Sequence, residues 1–319
     1  MTWISMGGSG EFDRIRAIAN ALGDNAGPIG DDTAAIPAGK GTLVVSTDVS
    51  VESVHFRRAW LTYTEIGWRA AASALSDLAA AAAVPAGLTA AITVPATLDE
   101  QELVQLMLGV GDAAAFASCK VLGGDLSSGE ALAITITVFG HAERPLSRRG
   151  ASAGDGVWVT GTLGGARAAL SAWLDAREPE EGARAVFAHP LPRLSVARWL
   201  AAEGATAMMD ISDGLGGDAE HLAAASEVGL RLELERIPLH AAVTNAAGLV
   251  DEDPAFFAAI GGEDYELLVT LPRDFTGAEE CLAATGISLT RIGSVRRDLG
   301  VVATLMGAMV KVTGFQHRL

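Results

Sequence analysis

The sequence predicts an α/β fold with mixed sheets, divided into two domains. Three observations carry that reading. Segments of strand and helix character alternate through both halves of the chain. Within 131–139, Leu132, Ile134, Ile136 and Val138 face one way and Ala133, Thr135 and Thr137 the other, the pattern of a half-buried strand in a sheet with one covered face. The length of 319 residues suits two domains, and RRGASAGD at 148–155 strings charge, small residues and glycine into a plausible boundary. The expected division is 1–147 and 148–319.

Residues 1–10 are Gly-rich and short of apolar side chains, as in a mobile tail. Residues 42–48 (TLVVSTD) read as a strand running into a polar end, 62–83 as a helix, and 86–94 as a strand. Asp99 is placed to cap a helix over 99–117. A short strand at 120–122 leads into Gly123-Gly124-Asp125. In the second half, strands are expected at 157–160, 205–209, 230–234, 266–271 and 287–292. Helices are expected from about 165, at 194–202, from Asp213 to a stop at Gly229, and at 275–284.

Composition excludes several classes. Lys and Arg number 23 against 39 Asp and Glu, a net charge of −16, which argues against nucleic acid or an anionic membrane surface as partner. Half the residues are hydrophobic, enough for sizeable cores. The apolar stretch 70–94 is interrupted by Ser73, Ser76, Asp77 and Pro85 and owes its apolarity to alanine, so it reads as a packed helix rather than a membrane span. The N-terminus lacks the pattern of a signal peptide, and Cys119 and Cys281 form no metal or disulfide framework. The expectation is a soluble, cytoplasmic protein.

The chemistry is carried by acidic residues at expected strand ends and glycine-containing turns: GDD at 30–32, STD at 46–48, Asp77, GGD at 123–125, DISDG at 210–214 and GGED at 261–264. One such carboxylate is an ordinary turn or cap residue. Six such motifs, spread over both halves, point to hard cations such as Mg²⁺, which take oxygen ligands. No Walker A pattern exists, and basic residues near these motifs are few beyond His55, Arg148 and Arg149. Any phosphate handled here is therefore expected to be neutralised largely by metal ions. VTGTLGG at 159–165 fails the dinucleotide spacing and reads as a tight turn between strand and helix. Asp218 and His221 lack a third ligand and read as a solvated or N-terminal helical pair. His55, within the alternating VESVHF, reads evenly as a structural histidine of the core or an edge strand and as a functional one.

These motifs, in this order, resemble the thiamine-monophosphate kinase family of the aminoimidazole ribonucleotide synthetase superfamily. The resemblance rests on Gly10-Glu11-Phe12, IGDD (29–32), STD…VHF (46–56), LSDLAA (75–80), GGD (123–125), SRRGASAGD (147–155), VTGTLG (159–164), MDISDGL (209–215), GGEDYEL (261–267) and GFQH (314–317). It implies a two-domain aminoimidazole ribonucleotide synthetase-like architecture, with the C-terminal domain completing the active site. It also implies homodimers joined through the N-terminal sheets, and ATP-dependent phosphorylation of thiamine monophosphate with several Mg²⁺ ions. By matching positions, Asp32, Ser46, Thr47, Asp48, Asp77, Asp125, Asp210 and Asp213 would hold metal, with Asp48, Asp125 and Asp213 central to catalysis. Gly124, Asp125, Arg148 and Ser212 would meet ATP, and His55, Glu263 and Phe315 the thiamine phosphate. Asp31 would be a neighbouring turn residue. Met107 and Leu108 stand where the family often carries a nucleotide-contacting Tyr, and Leu126 follows Asp125 where the family has Thr.

Within the superfamily, selenophosphate synthetase lacks support because no Cys precedes Cys119. GGEDYEL and GFQH separate the chain from aminoimidazole ribonucleotide synthetase itself. A silent nucleotide-binding scaffold would have lost ligands, and a metal-dependent phosphohydrolase would release phosphate without an acceptor.

Overall fold

The computed structural model describes residues 10–26, 36 and 39–314. They divide into two compact units, the first drawn from residues up to Leu78 and from Val84–Glu143, the second from Ala79–Ala83 and from Arg144 onward. The α/β class with mixed sheets holds in both.

In the first unit, α1 (Gly10–Leu22) precedes β1 (Thr42–Val51), α2 (Tyr63–Ala80), β2 (Val84–Val94), α3 (Glu100–Phe116), β3 (Val121–Ser128) and β4 (Ala133–Ala142). The sheet order is β1-β4-β2-β3, antiparallel except for the parallel β2–β3 pair. Asp99 caps α3 as expected: its carboxylate accepts the Glu102 amide at 2.8 Å while Glu102 accepts the Asp99 amide at 2.8 Å. The alanine-rich stretch is a packed helix followed by a strand. Ala70, Ala71, Ala72, Ala74, Leu75, Leu78 and Ala79 are all buried. Helices α2 and α3 meet at backbone distance, because a Cβ on Gly67 would strike the Leu106 carbonyl and one on Gly109 the Thr64 carbonyl. No described helix is long and apolar enough to cross a membrane.

On β4, Ile134, Ile136 and Val138 are buried while Thr135, Thr137 and Phe139 are not, as the alternation predicts. Register pairs Ser46 with Val138 and Asp48 with Ile136, so both share the covered face; Val45, Thr47 and Val49 lie on the open one. Two expectations change here. The strand foreseen to stop before Gly123 runs on to Ser128, because Gly123, Gly124 and Asp125 pair in parallel with Thr89, Ala90 and Ala91. Likewise β1 continues past Asp48 to Val51. Asp48 and Asp125 thus sit inside strands rather than at their ends, since ladder pairing outweighs the low strand propensity of Gly and Asp.

The second unit contains β5 (Gly156–Thr160), α4 (Gly165–Leu174), α5 (Glu181–Ala188), α6 (Leu194–Ala202), β6 (Ala207–Asp210), α7 (Leu215–Ser226) and β7 (Gly229–Glu233). It continues with α8 (Val243–Leu249), α9 (Pro254–Ala259), β8 (Leu267–Leu271), α10 (Ala278–Thr285), β9 (Leu289–Arg296), β10 (Gly300–Leu305) and β11 (Ala308–Val310). The seven strands run β11-β10-β7-β9-β5-β8-β6, with only β10–β7 parallel. Every residue of β5, β6 and β8 is buried. Helices α1, α5, α8 and α9 and strands β10 and β11 have no counterpart among the expected elements.

Candidate active site

In the first unit, β1 and α2 bring Ser46 and Asp77 together, the serine hydroxyl donating to Asp77 Oδ2 at 2.6 Å. Asp48, two residues on and on the same face, accepts the Val49 amide at 2.8 Å through Oδ1. Thr47 is not brought to them by its side chain: strand alternation turns it to the open face, where its hydroxyl lies 3.0 Å from that of Thr137. His55 is half-buried just beyond β1, and its Nδ1 accepts the Val51 amide at 3.1 Å. In the neutral ring that acceptor role assigns the proton to Nε2, making it a donor. Gly124 and Asp125 are exposed on β3, and a Cβ at Gly124 would strike the Ala90 carbonyl. Beside them lies a cleft walled by Ile15, Ile18, Ile92, Met107 and Leu126, with Asp125 contributing the charge.

In the second unit, the segment after β6 is strapped down by a carboxylate. Asp218, in the first turn of α7, accepts the amides of Ser212 at 3.1 Å and Asp213 at 3.2 Å. It is 1 % exposed, so of the two expected readings the N-terminal helical residue holds and the solvated one does not. Burial is the main reason its pKa rises to about 8, with repulsion from Asp210 and Asp213 adding to it. Asp210, at the end of β6, is itself buried.

The GGEDYEL loop adjoins this segment. Glu263 donates its amide to the Ser212 carbonyl at 2.8 Å, and Tyr265 donates its amide to that of Ile211 at 2.9 Å. Both adopt left-handed backbone, φ 71° at Glu263 and 51° at Tyr265, which costs on the order of 1 kcal/mol each in a non-glycine residue. Between them Asp264 accepts the Gly164 amide at 3.0 Å, at the start of α4. One donor at that helix start is thus already taken by the protein's own carboxylate, in keeping with a tight turn between strand and helix. Glu266, 3 % exposed, accepts the Thr160 hydroxyl at 2.6 Å and Arg193 Nε at 2.8 Å. A Cβ at Gly161 (φ 58°) would collide with the Glu266 carboxylate, so the turn requires glycine.

Arg148 is exposed at the start of the second unit. Asp31, Asp32 and Phe315 lie outside the described residues, as does most of the expected tail over 1–10. Among the described residues, no three His, Cys, Asp or Glu side chains gather closely enough to hold an ion by themselves. Sequence reasoning read Asp218 only as a helical partner of His221 and assigned no individual part to Asp264, Tyr265 or Glu266. The last three stand inside a quoted motif, and Asp218 follows a glycine that opens a helix, a position that favours acidic side chains.

Residues 30–142 match the AIR synthase related protein N-terminal domain, and residues 152–305 match the corresponding C-terminal domain. This is the two-domain architecture of AIR synthase-related proteins. The chain is 33% identical to the thiamine-monophosphate kinase of Aquifex aeolicus over 97% of its length and 98% of that relative's. It is 32% identical to that of Bacillus subtilis, covering 90% of this chain and 91% of the relative. Among solved structures, the thiamine-monophosphate kinase of Stenotrophomonas maltophilia aligns with a TM-score of 0.82 at 32% identity, covering 96% of this chain and 99% of that one. A structure described as AaThiL complexed with AMPPCP and TMP aligns with a TM-score of 0.78 at 32% identity, over 86% and 87% of the two chains. The chain belongs to the thiamine-monophosphate kinase family, and it is a kinase.

Proposed function

We propose that this kinase transfers the γ-phosphoryl group of ATP directly to the phosphate of thiamine monophosphate, giving thiamine diphosphate and ADP. The observation that carries the reading is the pair of ligands, AMPPCP and TMP, in a relative that is 32% identical over 86% of this chain. An acceptor phosphate oxygen attacks the γ-phosphorus in line as the bond to the ADP oxygen breaks, so no enzyme nucleophile is needed.

The donor set fits Mg²⁺. It consists of hard oxygens, it groups as the Ser46–Asp77 pair and as Asp210 and Asp213, both near enough to Asp218 to repel it, and Mg²⁺ usually takes one or two carboxylates plus phosphates and water. Asp32, Ser46, Thr47, Asp48, Asp77, Asp125, Asp210 and Asp213 would hold such ions. The two strand faces suit the hydroxyl of Ser46 and the main chain of Thr47. When bound, the metal would neutralise phosphate charge and stabilise the charge that develops during transfer.

The chain's own residues do the remaining work. Gly124 gives close backbone access next to the apolar-walled cleft, which suits a nucleotide base, while Arg148 and Ser212 supply donors to phosphate. His55, with its proton on Nε2, donates to the phosphate of thiamine monophosphate. Glu263 faces the cationic thiazolium or the aminopyrimidine, and Phe315 offers a flat ring. The open face of β1 exposes Leu43, Val45 and Val49 by 51%, 50% and 42%, which supports a homodimer joined through this sheet.

The test is product analysis of the purified protein with ATP, Mg²⁺ and thiamine monophosphate, with each omitted in turn. Thiamine diphosphate formed one-for-one with ADP, only in the complete mixture, is the expected result. ADP and free phosphate without thiamine diphosphate would replace the reading with hydrolysis or another acceptor.

A further inference from the structure

Glu263 stands on a loop anchored at three successive residues, by the main chain at Glu263 and Tyr265 and by the side chain at Asp264. Its own amide bonds Ser212, the Asp264 carboxylate bonds the Gly164 amide, and the Tyr265 amide bonds Ile211. A main chain fixed in this way still leaves the Glu263 side chain its rotamers. In an extended strand, residues two apart point to the same face. Here left-handed backbone at both Glu263 and Tyr265 curls the loop instead. Tyr265 is 8 % exposed, and its hydroxyl donates to Glu263 Oε2 at 2.7 Å. A phenol on a buried ring is a rigid donor with two torsions, and it restricts the longer, more flexible carboxylate that accepts from it.

We propose that Tyr265 is a positioning residue that fixes the Glu263 carboxylate for thiamine monophosphate and orients Oε1 toward the substrate's cationic heterocycle. The inference rests on the substrate role given to Glu263 above. It explains why an aromatic residue occupies a left-handed position where glycine or asparagine would fit more easily. The side chain is retained for its hydroxyl as well as its packing.

The test is Tyr265→Phe, which keeps the ring and removes one oxygen, measured beside Glu263→Gln and the double variant. In the wild-type background Tyr265→Phe is expected to raise KM for thiamine monophosphate by about tenfold, the loss of one charge-assisted hydrogen bond. KM for ATP, kcat and the melting temperature should stay close to wild type. Added to Glu263→Gln, the same change should have little further effect on thiamine monophosphate binding, read by calorimetry on the intact protein. If Glu263→Gln raises KM for thiamine monophosphate and Tyr265→Phe does not, the positioning role is overturned while the substrate role stands. If Glu263→Gln leaves that KM unchanged, the substrate role fails and the positioning role with it. Equal losses on both substrates, or on stability alone, would make Tyr265 merely structural. Should Tyr265→Phe fold poorly, Glu263→Asp withdraws the carboxylate from the phenol by one methylene and must give the same substrate-selective loss.

Discussion

The two sheets of this protein treat their faces in opposite ways. In the seven-stranded sheet, β5, β6 and β8 are buried throughout, and Glu266, just before β8, is held between Thr160 and Arg193. In the four-stranded sheet the covered face holds Ile134, Ile136 and Val138, while the open face leaves Leu43, Val45 and Val49 in water. The extremes among the acidic residues follow the same division: Asp125 is exposed, whereas Asp210 and Asp218 are buried. A sheet covered on both sides spends its polar groups on holding itself together. A sheet open on one side keeps polar and apolar groups available for ligands and for another subunit.

If that contrast is sound, Asp125→Asn and Arg193→Ala should fail in opposite ways. Asp125→Asn should reduce transfer on the order of a thousandfold in a coupled ADP assay. Its melting temperature should barely move, since an exposed substitution rarely changes stability by more than about 0.5 kcal/mol. Arg193→Ala strands the Glu266 carboxylate, 4% exposed, without its cation. The expected cost is about 3 kcal/mol, read as a drop of roughly 10 °C in melting temperature. Near-normal rates in Asp125→Asn would remove it from the proposed metal and nucleotide site, and an unshifted melting point in Arg193→Ala would remove the ion pair from the core.

A smaller effect is expected from Val45→Lys, on the open face of β1. As a subunit contact, the new charge should weaken dimerisation by about a hundredfold, the scale of one strong interface position. Sedimentation across a concentration series reads this directly, while circular dichroism should show the sheet intact. A wild-type chain that sediments as a monomer would leave the open face unexplained by a second copy.

The same contrast decides what could be read from the sequence. Strict alternation at 131–139 announced β4 and its covered face, because a half-buried strand writes its period into the chain. Asp99 announced the start of α3 as its cap, and the structure adds Glu102 as the other half of the pair. The short helices α5, α8 and α9 carry too few turns for a period to emerge, and β3 hides behind two glycines that only pairing with β2 makes into a strand. The acidic motifs were visible as a set, and the ordered motifs led to the family. Which carboxylates serve the fold was not visible. Asp218, Asp264 and Glu266 look like the proposed ligand residues in sequence, and only the amides, hydroxyl and guanidinium that meet them mark the difference.

Asp264 gives the finest test, because it performs inside the second unit what Asp99 performs at an exposed helix start in the first. Both carboxylates accept an amide from the first turn of a helix or its approach. Burial raises the Asp264 pKa well above 3.8; the Gly164 amide opposes that rise and repulsion from Glu266 reinforces it. A folded-state pKa above the unfolded value means that the native protein holds this proton more tightly. The stability it contributes is full below about pH 4 and is lost as pH rises through the folded value. Asp264→Asn keeps an oxygen for the Gly164 amide but has no proton to lose. Its melting temperature should therefore gain on that of the wild type as pH rises from about 4, by an amount corresponding to about 1.4 kcal/mol for each unit separating the two pKa values. Above the folded pKa the two curves should run parallel. Parallel curves across the whole range would mean that Asp264 is ionised as freely in the folded loop as in water, and that the cap on α4 is as solvated as the one on α3.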